Sequence, residues 1–397
     1  MTLRAAVVGC GALANSAHLP NIQQSDILDL AVACDVSKDQ AEYAAKRWGA
    51  GRVSLDWREV VTADDLDLIV LCTHTSLRAD LICAAAEAGK PVYTEKPLAD
   101  SREEMTRILR AVQKTGTPVC VGHNRRSSPA VLEFRRLAQL AREQGADRGA
   151  IIDRNTGMRQ PIAEESESQL LLRVNDDIRT WKGWVFDDEY GIMLAEMVHF
   201  IDLALWMMPA PPIQVYACGS PRGNFTQIIQ FRDNSIATLL ENVVGNFDYP
   251  KELFEFTARN VTVCCEHHLE VRQRGLDSEP FRTSYKLASG GDLARDKMGI
   301  DAFHQACDEL HKLRAAGKDL PIACVGPNKG HKEHLERFAR HTQGEDENPC
   351  PVQSAIVVTR VALKLLESAR TGMPVKVLAE DYDLPSIDRE ALGRIKL

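Results

Sequence analysis

The sequence predicts a mixed α/β protein: an N-terminal doubly wound parallel sheet, then an α/β domain built on a large open-faced, mostly antiparallel sheet. Three observations carry that expectation. Residues 1–123 alternate short, unalternated apolar runs with helical patterns, as strands covered on both faces require. After residue 123 the texture changes to closely spaced strand-like runs joined by Gly, Asn and Asp turns. At 397 residues the chain exceeds one ordinary core, given roughly 100–200 residues per domain. The predicted domains are therefore 1–123 and 124–397.

In the first domain the strand candidates are 4–9 "RAAVVG", 30–35 "LAVACD", 68–73 "LIVLCT", 91–94 "PVYT" and 118–122 "PVCVG". Helices are expected at 37–48, 76–89 and 101–115, with Ser37, Ser76 and Ser101 as N-caps whose hydroxyls satisfy free backbone N–H groups. Strands alternating with helices give an open sheet with ligands at the carboxyl ends of its strands.

The second domain opens with a helix near 128–144 and a strand near 149–154. A polar stretch at 159–188 with two Trp reads as a long functional loop. A helix at 190–207 follows, then strand-like runs at 213–219, 225–232, 235–245, 251–257, 260–265 and 268–273. Helices near 299–315, 329–343 and 352–371 complete the pattern.

Composition narrows the function classes. A hydrophobic fraction of 44% with 26% charged residues is globular, and a net charge of −8 disfavours nucleic acid or an anionic membrane. The eleven cysteines include no CxxC pair and sit in apolar runs, which fits a reducing cytoplasm. Neither a signal peptide nor an apolar run of the ~18 residues that a membrane span needs is evident. The expected location is the cytoplasm.

"VVGCGALA" places Gly9, Gly11 and Ala14 in a GxGxxA spacing between the first strand and a helix, with Ala12 and Leu13 at the helix start. The first glycine permits a tight turn and the second a close approach to a pyrophosphate. The small third residue lets helix and strand pack. Asp35 ends the second strand, where its carboxylate can accept from ribose hydroxyls and would repel a 2′-phosphate, so NAD is expected and NADP is disfavoured. Thr73 and His74, after the strand at 68–73, are candidate cofactor neighbours; His74 also suits a loop position satisfied by backbone.

"TEKP" follows the next strand, so Lys96 should emerge in the same crevice, with Pro97 restricting its backbone. A partly desolvated lysine beside a nicotinamide can exchange a proton with a substrate hydroxyl. Taken alone, a lysine in this position is also an ordinary surface charge. In "GIMLAEMVHFIDLALWM" the apolar helix is interrupted by Glu196, His199 and Asp202; the first two share a face and suit hydroxyl orientation or proton removal. A satisfied core histidine is the alternative.

Taken together, the GxGxxA turn, Asp35, "EKP", "GHNRRSSP" and "GIMLAEMVHFID" resemble the Gfo/Idh/MocA family of NAD(P)-dependent oxidoreductases. "YPKELFEF", "NKGHKEHLERF" and "ALKLLESARTGMPV" extend the resemblance over most of the chain. It implies a Rossmann domain followed by an α/β domain whose sheet forms homodimers or homotetramers. It implies hydride transfer at a carbohydrate or cyclitol hydroxyl, with Lys96 as acid/base and His199 as its partner. Glu95 and Lys96 would face the nicotinamide, Asn124 and Arg125 the substrate, and the Lys96–Pro97 bond would be cis. Many members carry an aspartate where this chain has Ala195; Glu196 lies one position on, as in a branch with "GExxHFID". Trp181, Lys182 and Trp184 would wall the pocket, stacking on a sugar ring or acting as buried anchors.

The histidine groups His331/His334 and His267/His268 lack a closed ligand set, so no metal is expected. The expected activity is NAD-dependent oxidoreduction of a sugar, glycoside or cyclitol. Two alternatives remain at this point: redox-neutral conversion of a glycoside on tightly held, internally recycled NAD, and a non-catalytic NAD- or sugar-binding regulator.

Overall fold

The computed structural model describes residues 2–144, 150–152, 154–161, 168–181, 183, 185, 190–220, 222–320 and 324–384. The chain forms two compact units. The first comprises Met1–Ser127, Gly330–Arg360 and Asp383–Leu397, and the second Ser128–Lys329 and Val361–Tyr382. The opening segment of the first unit runs to Ser127, and the unit also takes in 330–360.

The sheet of the first unit contains β1 (Leu3–Val8), β2 (Leu28–Cys34), β3 (Arg52–Ser54), β4 (Leu68–Leu71), β5 (Val92–Thr94) and β6 (Val119–Val121). The order is β3-β2-β1-β4-β5-β6, and all pairs are parallel. This doubly wound order reverses between β1 and β4, the point at which such sheets open a ligand crevice. β4, β5 and β6 are buried at every position, which explains their unbroken apolar runs. β3, at the edge, is short and half polar, and for that reason gave no sequence signal.

Helix starts follow side-chain chemistry. Ser101 accepts from the N–H of Glu104 and caps the helix Arg102–Thr115, as expected. Ser37 occupies the cap position of Lys38–Trp48 without a side-chain bond. At Thr75–Glu87 the expected cap, Ser76, is corrected to His74, whose Nδ1 accepts from the Ser76 N–H at 3.5 Å. The cap lies two residues earlier than the serine pattern indicated. In the third layer of this unit, His334 and Phe338 of the helix His331–Thr342 pack their rings on Tyr93.

In the second unit β7 (Ala150–Ile152) pairs with β8 (Arg159–Pro161). The large sheet contains β9 (Gln169–Asn175), β10 (Pro212–Gly219), β11 (Phe225–Phe231), β12 (Ile236–Asn242), β13 (Glu252–Ala258), β14 (Val261–Glu266), β15 (Glu270–Arg274) and β16 (Arg282–Ser284). β17 (Leu287–Ser289) and β18 (Gly326–Pro327) form a separate pair, and β19 (Val375–Lys376) closes one edge of the large sheet. Its order is β16-β15-β14-β13-β9-β12-β11-β10-β19; only β9 and β12 run parallel.

The stretch 159–188 is therefore not the continuous loop expected: β8 lies in it, and β9 is the central strand of the sheet. The buried Leu170, Leu172 and Val174 alternate with half-buried Leu171 and Arg173. Three consecutive leucines hid this period of two, and tertiary pairing on both sides outweighed their weak strand preference.

One face of the sheet is buried by the helices Pro129–Gln144 and Val198–Met207. Phe254 of β13 meets Phe134 and Phe200 at ring-centroid distances of 6.1 and 6.3 Å. The other face is half covered, with Ile228, Leu240 and Leu253 in alternate register. The expected helix at 190–207 is present but starts with a π-helical turn, Met193–Met197. The spacing from Glu196 to His199 is therefore not that of an uninterrupted α-helix.

Candidate active site

Each compact unit carries part of the expected set. In the first unit, Gly9, Asp35, Thr73, Glu95, Lys96 and His123 follow the carboxyl ends of five adjacent strands. Gly9 has φ +92°, and an added Cβ would lie 2.8 Å from the carbonyl carbon and oxygen of Cys72. Only glycine fits this turn. A Cβ at Gly11 would meet nothing within 4 Å, so the space in front of it is open to a phosphate. Ala14 is fully buried, whereas Ala12 and Leu13 are exposed at the start of the helical segment.

Asp35 is tied to this turn. Its Oδ2 accepts from the Cys10 N–H and its Oδ1 from the Ser37 N–H, both at 2.8 Å. Each oxygen retains acceptor capacity toward a diol. The Thr73 hydroxyl is buried without a partner among the described residues, an orphan of the kind that a bound ligand satisfies. The glycine cradle, Asp35 and this orphan fit a dinucleotide. His74 is exposed and caps its helix.

Beneath Lys96 lies a buried polar group that the sequence reading missed. His18 Nε2 is 2.7 Å from Glu95 Oε1, and both residues are buried. Glu95 Oε2 accepts from the Lys96 N–H at 3.2 Å, and the Arg78 guanidinium donates to the carbonyls of Glu95, Pro97 and Thr73. Burial alone would raise the Glu95 carboxyl. The His18 hydrogen bond, with the charges of His18, Lys96 and His331, outweighs it and holds the pKa down at about 2. Gly122 leaves room for this carboxylate: a Cβ there would lie 3.0 Å from Glu95 Oε1. The Lys96–Pro97 bond is cis, as expected, and Lys96 is half-buried. Asn124 and Arg125 are buried in the 3₁₀ turn Asn124–Ser127, with Asn124 Nδ2 3.5 Å from His331 Nδ1.

In the second unit His199 and Asp202 are buried on the helix Val198–Met207. Glu196 Oε1 lies 2.9 Å from Lys251 Nζ, which is also 2.9 Å from Asp176 Oδ2. Lys251 thus sits between two carboxylates from different elements. Glu241 adds a third carboxyl. It is 3% exposed, both of its oxygens lack partners among the described residues, and its pKa is well above the usual carboxylate range. Burial is the main cause, with the charge of Asp176 next. Glu241 occupies the buried register of β12 after Ala237 and Leu239, so the period-two pattern offered a signal for it. Trp181 is half-buried just after the 3₁₀ turn Ile178–Thr180; Lys182 and Trp184 lie outside the described residues.

The histidine groups are hydrogen-bonded. In the first unit His334 Nδ1 meets the Ser127 hydroxyl at 2.9 Å and Nε2 meets the Val121 carbonyl at 3.1 Å. In the second, His268 bridges Ser128 and Glu252, and His267 Nδ1 accepts from the Lys251 backbone N–H.

A doubly wound sheet with a glycine cradle after β1, an anchored aspartate after β2 and a lysine after β5 has the architecture of a class, the dinucleotide-dependent oxidoreductases. The family model described as "Oxidoreductase family, NAD-binding Rossmann fold" matches residues 3–123. An inositol 2-dehydrogenase of Gluconacetobacter diazotrophicus is 31% identical over 312 residues, 76% of this chain and 83% of that protein. The 4-carboxy-2-hydroxymuconate-6-semialdehyde dehydrogenase of a Sphingobium strain is 34% identical over 128 residues, 32% of this chain; the match spans 40% of that relative's length. The crystal structure of myo-inositol 2-dehydrogenase from Lactobacillus plantarum shares the fold, with TM-score 0.67 and 17% identity over 95% of this chain and 100% of that one. The chain belongs to the Gfo/Idh/MocA oxidoreductase family.

Proposed function

We propose that the protein moves hydride to or from a hydroxyl-bearing carbon of a sugar, glycoside or cyclitol, using NAD, with Lys96 and His199 as the acid/base pair. The observation that carries this reading is the setting of Lys96: it follows β5 on a backbone anchored by Glu95, His18 and Arg78. The names of the inositol dehydrogenase relatives support a polyol substrate.

NAD, when bound, supplies the acceptor for the hydride that leaves the carbinol carbon. Lys96 Nζ takes the hydroxyl proton as the carbonyl forms, and His199 orients that oxygen. Glu196, held by Lys251, accepts from a neighbouring hydroxyl. Asn124, Arg125 and Trp181 contribute further substrate contacts. Thr73, His74, Ala12 and Leu13 border the cofactor with Gly9, Gly11 and Glu95. Asp35 selects NAD over NADP, because its carboxylate is fixed by two backbone N–H groups and cannot turn away from a 2′-phosphate. A second copy of the chain is the proposed partner, seated on the half-covered face of the large sheet. The scattered free cysteines favour a cytoplasmic setting. Among the described residues no helix is long and apolar enough to cross a membrane.

The test is a panel of sugars, glycosides and inositols followed by NADH absorbance, with nucleotide released from denatured protein measured in parallel. Lys96→Met is expected to lower turnover by about 10²–10⁴-fold, the usual contribution of a general acid/base, while leaving the Kd for NAD unchanged. Full activity in that variant removes Lys96 from the mechanism. Product formation on stoichiometric bound nucleotide without net NADH assigns internal recycling instead. Ligand binding without turnover across the panel assigns the regulator.

A further inference from the structure

The second unit holds a cavity of about 330 Å³ lined by Phe247, Lys251, His267, Ser289, Pro327 and Lys329 together with Val325 and Gly326. This is within the range of small-molecule sites. We propose that the cavity binds a second saccharide ring, so that the substrate is a glycoside or oligosaccharide with one unit at Glu196 and its neighbour here. The proposal rests on the sugar-oxidoreductase reading above and specifies its substrate class.

Continuity is the first argument. Lys251 lines the cavity and at the same time bonds Glu196, so a ligand in the cavity lies one side chain from the helix that bears His199. Charge is the second. Lys251 is matched by Asp176 and Glu196, and Lys329 by Glu252 at 2.7 Å. Both lysines are thus already neutralised, and the wall offers no excess positive charge to a carboxylate or phosphate. It presents N–H donors beside the Ser289 hydroxyl, a mixture that suits vicinal hydroxyls, each of which both donates and accepts.

The shape of the wall also suits a sugar ring. Phe247, Val325 and Pro327 supply apolar surface for the C–H face of a ring, and Phe247 lies 5.4 Å from Lys251 Nζ. Finally, the wall is built at a conformational cost. His267 and His268 both take positive φ, +51° and +56°, at the β14–β15 turn, where Asn-Gly would be relaxed. The turn aims His267 at the cavity, and acceptance from the Lys251 N–H leaves its proton on Nε2 as a donor. Phe303, from the cluster under the helix Ile300–Ala315, packs on the His267 ring at 4.6 Å and backs this wall.

The experiment measures binding of cellobiose, maltose and lactose against glucose by saturation-transfer NMR and calorimetry, on the full chain and on Ser289→Trp. Ser289 is exposed at the cavity, so the indole fills the space without entering the core. At least one disaccharide is expected to bind about tenfold more tightly than glucose, the effect of one or two added hydrogen bonds. Ser289→Trp should abolish that difference while leaving glucose binding intact. A panel in which no disaccharide exceeds glucose, or a difference that survives Ser289→Trp, overturns the second subsite. Disaccharide binding with neither NADH nor any product formed from the panel would retain the subsite and defeat the oxidoreductase reading.

Discussion

The Lys251 ammonium lies 2.9 Å from Glu196 Oε1, joining the first residue before β13 to the helical turn that precedes His199. With Asp176 at the same distance, one cation holds two carboxylates, and neither side chain of the Lys251–Glu196 pair is more than 14% exposed. Removing the cation leaves both acids without their counter-charge in a poorly solvated place.

Lys251→Met is therefore expected to destabilise the fold by about 3 kcal/mol, the lower end for a broken buried pair. Urea denaturation monitored by fluorescence measures it. Lys251→Arg should recover most of the loss, and a Met variant as stable as the parent shows that the two acids find other partners.

Glu241 yields a prediction of opposite sign. Its folded pKa is raised above the ordinary 4.5, chiefly by burial. The stability associated with the neutral acid is complete below pH 4.5 and is lost as pH rises toward the folded pKa. Glu241→Gln keeps the shape without the proton. It should match the parent at pH 4 and exceed it at pH 7 in thermal melts; equal melting at both pH values contradicts the assignment.

Glu95 behaves in the reverse way. With a folded pKa of about 2 against 4.5, its contribution is present above pH 4.5 and lost as pH falls through 2. The difference corresponds to roughly 3 kcal/mol. Glu95→Gln should flatten the acid limb of stability between pH 4.5 and 2. An unchanged acid limb would place the acid sensitivity elsewhere.

Gly9 and Gly11 separate folding from cofactor binding. Gly9→Ala puts a methyl group 2.8 Å from the Cys72 carbonyl at φ +92° and should cost about 1–3 kcal/mol of stability through strain. Gly11→Ala meets no protein atom within 4 Å. It should fold normally and lose NAD affinity in a calorimetric titration, since its methyl group would enter the space proposed for the pyrophosphate.

Much of this was legible in sequence because the physics was local. The unbroken runs of β4 and β5 report burial on both faces, and "GCGALA" reports a turn that only glycine can make. β9 was not legible: its identity as the central strand depends on β12 and β13, which join the chain some 60 to 80 residues later. Likewise the role of His18 depends on Glu95, 77 residues away, and that of Lys251 on Glu196, 55 residues away. Glu241 was the exception, since the alternation of β12 by itself places this carboxyl in the buried phase of the strand.

The segment Gly330–Arg360 belongs by its contacts to the unit that begins the chain. His334, within it, bonds Ser127 and packs on Tyr93. The nucleotide-binding half is therefore not a portable module. A fragment ending at residue 127 keeps the His18 ring on Tyr93 but strips away His334 and Phe338, so it would separate β5 from two of the rings that cover it. To move this unit intact, Gly330–Arg360 must travel with residues 1–127.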